Sequence, residues 1–316
     1  MEIIRDRDNR DRKAAGPVVA IGNFDGVHLG HQLILKHTVE SAKAIGGTSV
    51  VLTFDPHPLS VLAPDRPLKF LMTFEERLHW IEAAGIQRVQ CITFTPAFAT
   101  LTPGEFIETV LHDDLGAKQV HVGVNFSFGV GRRGRLADLQ EASGRYGFEV
   151  QAVDPFKVAG RPVSSSRIRE CLTEGRVAEA RGLLGRPYML QGRVTPSARR
   201  GRRLGYPTAN FTPPHDRVIP ASGIYAVWAE LSGGTGRMLE GACYIGTQPT
   251  LGTQPRMVET HLLEPQKNLY DRVIRVHFID WIRAERTFDS AEALSAQIKD
   301  DILKARAALA GGPGGL

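Results

Sequence analysis

Two histidines three positions apart are well placed for chemistry that stabilises negative charge. His28 and His31 close the run GNFDGVHLGH (22–31), which follows an apolar strand-like segment and opens a predicted helix. Residues three apart share a helix face, and Gly30 between them lets a phosphate approach the backbone. A helix N-terminus adds free N–H groups and a positive dipole end. The run therefore predicts a polyphosphate site; the alternative is that the histidines only cap or pack the helix.

A serine- and arginine-rich run supplies a second set of candidates. The segment VSSSRIR (163–169) follows the last strand-like stretch of the first half and opens another predicted helix. Serine hydroxyls can cap that helix, and Arg167 or Arg169 can reach a phosphate. Because N-capping serines are common before helices, the run gains weight only beside the histidine motif.

The second half carries oxygen ligands and a carboxylate. Thr208 and Asn210, in LGYPTAN (204–210), offer a hydroxyl and an amide that can ligate Mg²⁺ and an ATP phosphate, although the same residue types also make a simple turn. Glu259 lies in the strand-like run MVETH (257–261), where alternation places it with His261, opposite Val258 and Thr260. If Glu259 points into the domain, burying its carboxylate is costly unless it has a functional role or a partner. The alternative is that Glu259 is an ordinary surface residue of the strand.

A glycine-rich run is a possible false signal. GVGRRG (129–134) matches the GxGxxG pattern of dinucleotide-binding folds. The preceding strand is predicted to end near Val124, which leaves a gap before Gly129, and arginines at the variable positions are atypical. The run is therefore not taken as a dinucleotide site.

The elements that must position these residues fall into two patterns. Up to about residue 184, apolar strand-like runs alternate with amphipathic helical stretches, which predicts an α/β Rossmann-like domain with a parallel sheet. Ligands of such sheets bind at the carboxyl ends of the strands. Beyond it, strand-like runs are separated by Gly/Pro turns until a helix over 290–309, which predicts a small antiparallel β-barrel closed by one helix. The predicted domains are 1–184 and 185–310, with a flexible tail at 311–316.

Composition narrows the function classes. The 316 residues are 42% hydrophobic and 23% charged, as in globular proteins, which excludes a disordered or rod-like chain. Three scattered cysteines argue against disulfides and zinc sites. The start lacks an apolar signal segment and no run reaches membrane length, so we expect a cytoplasmic protein without membrane contact. The net charge of +5 suits an anionic ligand, with the arginine clusters at 132–135 and 199–203 as basic loops or phosphate contacts.

The two N-terminal motifs together resemble the HxGH and SSTxIR signatures of the nucleotidylyltransferase superfamily. Over nearly its whole length the chain further resembles the bacterial bifunctional riboflavin kinase/FAD synthetase family. The resemblance rests on runs that include IGNFDGVHLGH (21–31), LTFDPHP (52–58), VGVNFSFGVGRRG (122–134), VSSSRIR (163–169), GRRLGYPTANF (201–211) and VETHLLE (258–264).

This resemblance implies two Mg²⁺-dependent reactions. The C-terminal module would phosphorylate riboflavin to FMN with ATP, and the N-terminal module would adenylylate FMN to FAD, releasing pyrophosphate. His28 and His31 would stabilise the ATP phosphates, and Asn125 would lie beside the FMN or ATP phosphates. Glu259 would be the general base, and Thr208 with Asn210 would hold Mg²⁺–ATP. The remaining ATP-binding residues would be Gly22, Asn23, Phe24, Asp25, Gly26, Ser164, Ser165, Arg167 and Arg169.

The chain departs from the family pattern at four places. Ser166 replaces a common threonine but keeps the hydroxyl, so we expect little effect. Tyr206 replaces a usual Phe, Tyr244 a common Asn, and Thr-Pro-Ser at 195–197 a His-Gly-Asp-like pattern. These last three fall in the predicted kinase module and bear on riboflavin affinity.

Other functions remain open at this stage. One is a relative with a single active site, and another is an HxGH transferase acting on nicotinamide or pantetheine phosphates. A third is a nucleic-acid-binding protein that uses the arginine clusters, but the chain lacks an aromatic-rich basic face. We therefore expect no nucleic-acid partner, and a monomer or weak homo-oligomer.

Overall fold

The computed structural model describes residues 1–6, 14–66, 68–196, 205–232, 236–246, 256–266 and 269–314. The chain divides into two compact units, Met1–Ser165 and Ser166–Leu316. Ser197, the arginines at 199–203 and the last two residues of the predicted tail lie outside the described residues.

The first unit is built on a six-stranded parallel sheet. Its strands are β1 (Glu2–Arg5), β2 (Val18–Ile21), β3 (Ser49–Phe54), β4 (Arg88–Ile92), β5 (Gln119–Gly123) and β6 (Glu149–Val153). Their spatial order is β1-β4-β3-β2-β5-β6, and every pair is parallel. The order reverses between β2 and β5. A crevice at such a switch point, at the carboxyl ends of the strands, is where open α/β sheets bind ligands.

Helices connect these strands. They are α1 (Leu29–Ala44), α2 (Pro58–Leu62), α3 (Phe74–Ala83), α4 (Pro103–Glu105) and α5 (Leu136–Tyr146). Directly after α4, the chain continues as a π-helical segment, Phe106–Asp114. A short antiparallel hairpin, β7 (Lys157–Val158) with β8 (Arg161–Pro162), follows β6.

Both faces of the sheet are covered, as the continuous apolar strands require. On one face Val19 and Val120 pack with Leu111 of the π-helical segment and Leu139 of α5. On the other face Ala20, Val51 and Val89 pack with Leu35 of α1 and Ile81 of α3. Alternation along β2 thus sends successive residues into two separate cores. This is the predicted Rossmann-like, parallel arrangement.

The second unit begins with two helices and continues as an antiparallel sheet. The helices are α6 (Ser165–Thr173, whose first residue is counted in the first unit) and α7 (Val177–Leu184). The strands are β9 (Tyr188–Arg193), β10 (Thr208–Phe211), β11 (Gly223–Leu231), β12 (Leu239–Gly246), β13 (Met257–Leu262) and β14 (Val273–Ala284). Their order is β10-β13-β12-β11-β14-β9.

A bridge between described residues joins the two ends of this sheet. The Thr195 N–H, just beyond β9, donates to the Asn210 carbonyl of β10 over 2.9 Å. The final helix, α8 (Ala291–Leu309), lays Ala305 and Leu309 on Ala226 and Trp228 of β11. The prediction of a small antiparallel barrel closed by one helix is therefore confirmed.

Some features went unrecognised in the sequence. The charged start contains β1, which adds an edge strand beside β4. The described part of the run 204–210 is not a simple turn, since Thr208 begins a strand. The three cysteines are buried and free. Burial raises the pKa of Cys91 to about 11 and that of Cys243 to about 12, so both thiols stay protonated at neutral pH.

Candidate active sites

The loop between β2 and α1 has an unusual backbone. Phe24 and Val27 adopt positive φ angles of 52° and 36°, and Gly26 one of 86°. Positive φ is unfavourable for residues with a Cβ, above all for β-branched valine, so surrounding contacts must hold this conformation. The loop leaves the carboxyl end of β2, at the switch point of the sheet.

His28 ends the loop and caps α1. Its Nδ1 accepts a hydrogen bond from the His31 N–H at 3.2 Å. Because that nitrogen accepts, the ring proton of neutral His28 is on Nε2, which can donate to an anion. The two imidazoles stack with centroids 3.6 Å apart and planes 14° apart, and His28 is only 5% exposed. A Cβ at Gly30 would lie 3.3 Å from the His28 ring, so the glycine permits this close stacking. The structure thus brings together the histidines that the sequence singled out.

Arg77 is bonded to the loop between β2 and α1, and the sequence analysis did not single it out. This side chain of α3 is 7% exposed; it donates to the Asn23 carbonyl at 2.7 Å and to the Phe54 carbonyl at 3.0 Å. Its guanidinium lies 4.8 Å from the centroid of the Phe74 ring. Burial lowers the pKa of Arg77, and neighbouring Cys91, Asp25 and Asp55 oppose that shift. Arg77 is one of several charged residues in the short helix α3, so the sequence pattern does not distinguish this buried arginine from a solvent-exposed one.

Asp25 is a structural anchor of the same loop. The residue is 5% exposed, and its carboxylate accepts the Leu71 N–H through both oxygens, at 3.0 and 3.2 Å. Its main-chain carbonyl accepts the Ser165 hydroxyl at 2.9 Å. The first serine of α6 is therefore tied to the histidine loop, 140 residues earlier in the chain. Ser164, the preceding residue, is half-buried.

The two arginines of the serine motif lie in the second unit. Arg167 is 9% exposed and forms an ion pair with Glu179 of α7, with 3.0 Å between Nη2 and Oε1. This ion pair joins α6 to α7 within the second unit. Arg169, two residues further along the same helix, is half-buried.

Asn125 lies at the same sheet edge as the histidine loop. It is exposed, two residues beyond the end of β5, and β5 pairs with β2 in parallel. Carboxyl ends of neighbouring parallel strands meet at one edge. Asn125 and the loop after β2 therefore flank the crevice of the switch point.

The glycine-rich run beside it serves the local fold. A Cβ at Gly134 would lie 2.9 Å from the Phe128 ring, and one at Gly129 would lie 2.8 Å from the Pro103 nitrogen. β5 ends at Gly123 and α5 begins only at Leu136, so the run does not join a strand directly to a helix. The structure agrees with rejecting the dinucleotide pattern.

The second site lies on one face of the barrel sheet. Asn210 of β10 is directly opposite Glu259 of β13, and Thr208 is opposite His261. Directly opposite residues have Cβ atoms about 4.5–5.5 Å apart. Val258 and Thr260 are buried, whereas Glu259 and His261 are half-buried, which confirms the predicted alternation. Thr208, Asn210 and Glu259 thus share one face and bring a hydroxyl, an amide and a carboxylate together.

The donors on this face are suited to a hard cation. Each of the three side chains offers oxygen, the ligand type that Mg²⁺ prefers. Asn210 is 1% exposed, so its amide is buried within the barrel and not exposed to solvent at the sheet edge. Among the described residues no group of three or more His, Cys, Asp or Glu could hold a metal by itself. A bound cation would therefore need further oxygens from a ligand such as a phosphate.

Within the described part of the chain, no helix is long and apolar enough to cross a membrane. That observation concerns only these residues.

Two families of known proteins match successive parts of this chain. Residues 10–167 match the FAD synthetase family and residues 184–309 match the riboflavin kinase family. The bifunctional riboflavin kinase/FMN adenylyltransferase of Escherichia coli K12 is 38% identical over 97% of both chains. The protein of the same name from Haemophilus influenzae is 35% identical, over 97% of this chain and 99% of its own.

One solved structure is similar to this chain over nearly its whole length. A crystal structure described as a macrolide-efflux protein from Streptococcus pneumoniae superposes with a TM-score of 0.87 at 28% identity, covering 97% of this chain and 99% of that one. Near-complete coverage means that both units and the order of their elements are common to the two chains. Because both family models match and the relatives align over nearly the whole chain, the chain belongs to the bifunctional riboflavin kinase/FMN adenylyltransferase family.

Proposed function

We propose that this enzyme of flavin cofactor synthesis makes FAD from riboflavin in two steps, each at one of the sites described above. The C-terminal module transfers the γ-phosphate of ATP to the 5′-hydroxyl of riboflavin and forms FMN. The N-terminal module transfers AMP from ATP to FMN and releases pyrophosphate. The observation that carries the proposal is that each unit holds a separate constellation suited to its reaction: stacked histidines at a helix N-terminus, and a carboxylate beside oxygen donors.

In the N-terminal module, catalysis is positioning and charge stabilisation. The phosphate of FMN attacks the α-phosphorus of ATP, and the negative charge of the leaving pyrophosphate grows. The His28 Nε2–H, the His31 ring and the positive dipole end of α1 can stabilise that charge. No proton has to be removed from a phosphate nucleophile, and no covalent intermediate is required.

Other residues of this module hold the substrates. Gly22, Asn23, Phe24 and Gly26 shape the loop around the ATP phosphates, and buried Asp25 anchors it to Leu71. Asn125 on the neighbouring strand end contacts the FMN or ATP phosphates. Ser164, Ser165, Arg167 and Arg169 complete the ATP site in this proposal, with Ser165 acting through the Asp25 carbonyl.

In the C-terminal module, the attacking group is an alcohol, which does require a base. Glu259 accepts the proton of the riboflavin 5′-hydroxyl as the oxygen attacks the γ-phosphorus. Its half-buried position on the face of Thr208 and Asn210 leaves the carboxylate beside the residues that hold the ATP phosphates.

The oxygen donors of Thr208 and Asn210 fit Mg²⁺ together with ATP. When bound, the cation neutralises charge on the transferred phosphoryl group. The chain's own part is to orient the triphosphate against Glu259. The N-terminal reaction is proposed to use Mg²⁺–ATP as well.

Further expectations accompany this function. The catalytic modules are assigned to 1–184 and 185–310, and the enzyme is proposed to work in the cytoplasm as a monomer or weak homo-oligomer. ATP, riboflavin, FMN and FAD are its ligands, and no nucleic acid is among them.

Reciprocal variants test the assignment of the two sites. His28→Ala should abolish FAD formation from FMN while riboflavin phosphorylation survives. Glu259→Gln, which keeps the shape but removes the base, should slow riboflavin phosphorylation by about 10²–10⁴-fold and spare FAD formation. Equal loss of both activities in either variant would contradict separate sites, and an unchanged FAD rate in His28→Ala would remove His28 from its role.

A further inference from the structure

One aromatic residue borders the predicted general base on the side away from the phosphate-binding strand. Tyr244 of β12 is directly opposite Glu259 of β13, and Glu259 is directly opposite Asn210 of β10. The three residues form a row across neighbouring strands on one face of the sheet. Glu259 therefore has oxygen donors on one side and an aromatic ring on the other.

The Tyr244 ring is laid along its own strand. A Cβ placed on Gly246 would overlap the phenol ring and its hydroxyl, so the ring passes directly over the bare Gly246 backbone. Glycine at 246 is what allows this position. Tyr244 is half-buried, as expected when one ring face covers backbone and the remainder stays accessible.

The end of the ring is fixed by a carboxylate from another strand. The Tyr244 hydroxyl donates a hydrogen bond to Glu285, the residue after the end of β14. Burial raises the pKa of Tyr244, and the hydrogen bond to Glu285 and the charges of Glu285 and Glu259 raise it further. The phenol is thus a neutral donor at physiological pH and is held at both ends, by its backbone and by Glu285.

We propose that Tyr244 is a specificity-determining residue of the kinase site, whose ring, fixed by Glu285, is the surface on which the planar heteroaromatic end of the acceptor alcohol stacks. Offset stacking of aromatic rings is favourable and demands a flat, immobile partner. Stacking beside Glu259 places the substrate's hydroxyl-bearing chain toward the carboxylate and the phosphate-binding strand. The inference rests on the proposed riboflavin kinase function and adds the residue that selects a planar acceptor.

The test is kinase kinetics of the full chain with variants at position 244. Tyr244→Leu removes the ring and should raise KM for riboflavin about tenfold, with KM for ATP changed by less than about twofold. Tyr244→Phe keeps the ring and should stay within about threefold of wild type. Tyr270→Leu is the matched control, because Tyr270 is an exposed tyrosine of the same unit outside this row, and it should behave as wild type.

A ring-only probe separates stacking from effects on the base. Lumichrome, which has the planar ring system without the hydroxyl-bearing chain, should inhibit competitively with riboflavin. Its inhibition constant should rise in Tyr244→Leu by the same factor as KM. The melting temperature of each variant, compared with that of the wild type, checks that the kinase module is folded.

The outcomes are distinguishable. Parallel increases in KM and in the lumichrome constant support the inference. An unchanged riboflavin KM in Tyr244→Leu, or a raised KM with an unchanged lumichrome constant, would overturn it while leaving the kinase function intact. A wild-type chain that does not phosphorylate riboflavin would overturn the function itself and this inference with it.

Discussion

Replacing Arg77 by methionine tests whether a buried residue that holds the histidine loop governs FAD formation. Methionine keeps an unbranched apolar stem but removes both guanidinium donors. The Asn23 and Phe54 carbonyls, now bonded at 2.7 and 3.0 Å, would lose those partners. A hydrogen bond from a charged donor contributes about 1.5–3 kcal/mol, so the two together hold the loop by roughly 3–6 kcal/mol.

The loop conformation that Arg77 holds includes positive φ angles at Phe24 and Val27, which are unfavourable without support. If the misplacement of His28 raises the activation free energy of FAD formation by about 3 kcal/mol, the rate falls on the order of 100-fold. Riboflavin phosphorylation should remain at the wild-type level, because Arg77 lies in the other unit. Both rates are read in one preparation by chromatography of flavins, with FMN or riboflavin supplied separately.

Arg88→Met is the matched control for general damage to the first unit. Arg88 begins β4 of the same unit, its side chain is 15% exposed, and it pairs with Glu2 at 2.7 Å, at the end of the strand away from the histidine loop. It should lose some thermal stability and little FAD synthesis. Wild-type FAD synthesis in Arg77→Met, or equal losses in the two variants, would refute a positioning role for Arg77.

Asn210→Ala should raise the Mg²⁺ concentration needed for half-maximal kinase activity, by about tenfold, while Asn210→Asp, which keeps an oxygen ligand, should not; a magnesium titration decides. Burial lowers the pKa of His121 from 6.5 to about 4. His121 is therefore protonated below pH 6.5 in the unfolded state but only near pH 4 in the folded state. The free energy of unfolding falls as the pH drops from 6.5 toward 4, by about 2 kcal/mol at pH 5. In urea unfolding, the free energy of unfolding of His121→Leu should depend less on pH than that of the wild type. A fragment covering 166–316 should have a higher melting temperature than 185–316, because α7 packs on β14 and the Ala221 N–H donates to the Leu172 carbonyl at 3.0 Å; equal melting temperatures would contradict this.

Much of the fold was readable because its signals are local. Continuous apolar runs such as residues 49–54 are buried along their whole length, as strands covered on both faces must be. Alternation in residues 257–262 correctly separated the buried from the half-buried face of β13. The histidine motif was readable because its two members lie on one helix start, so their proximity needs no tertiary information.

The remainder depends on contacts between distant parts of the chain. β1 is a four-residue edge strand in a charged segment, and only its pairing with β4 makes it a strand. Arg77 acts on a carbonyl 54 residues away, and no pattern in its own helix records that. Tyr244 and Glu285 meet across the barrel sheet, 41 residues apart. Register fixes these neighbours, and register is set by the whole sheet.

One incubation of the wild-type chain with riboflavin and Mg-ATP, followed in time by chromatography, tests the proposed function most directly. FMN should appear first, and FAD should follow from it. A chain that converts neither riboflavin to FMN nor supplied FMN to FAD would contradict the proposed function.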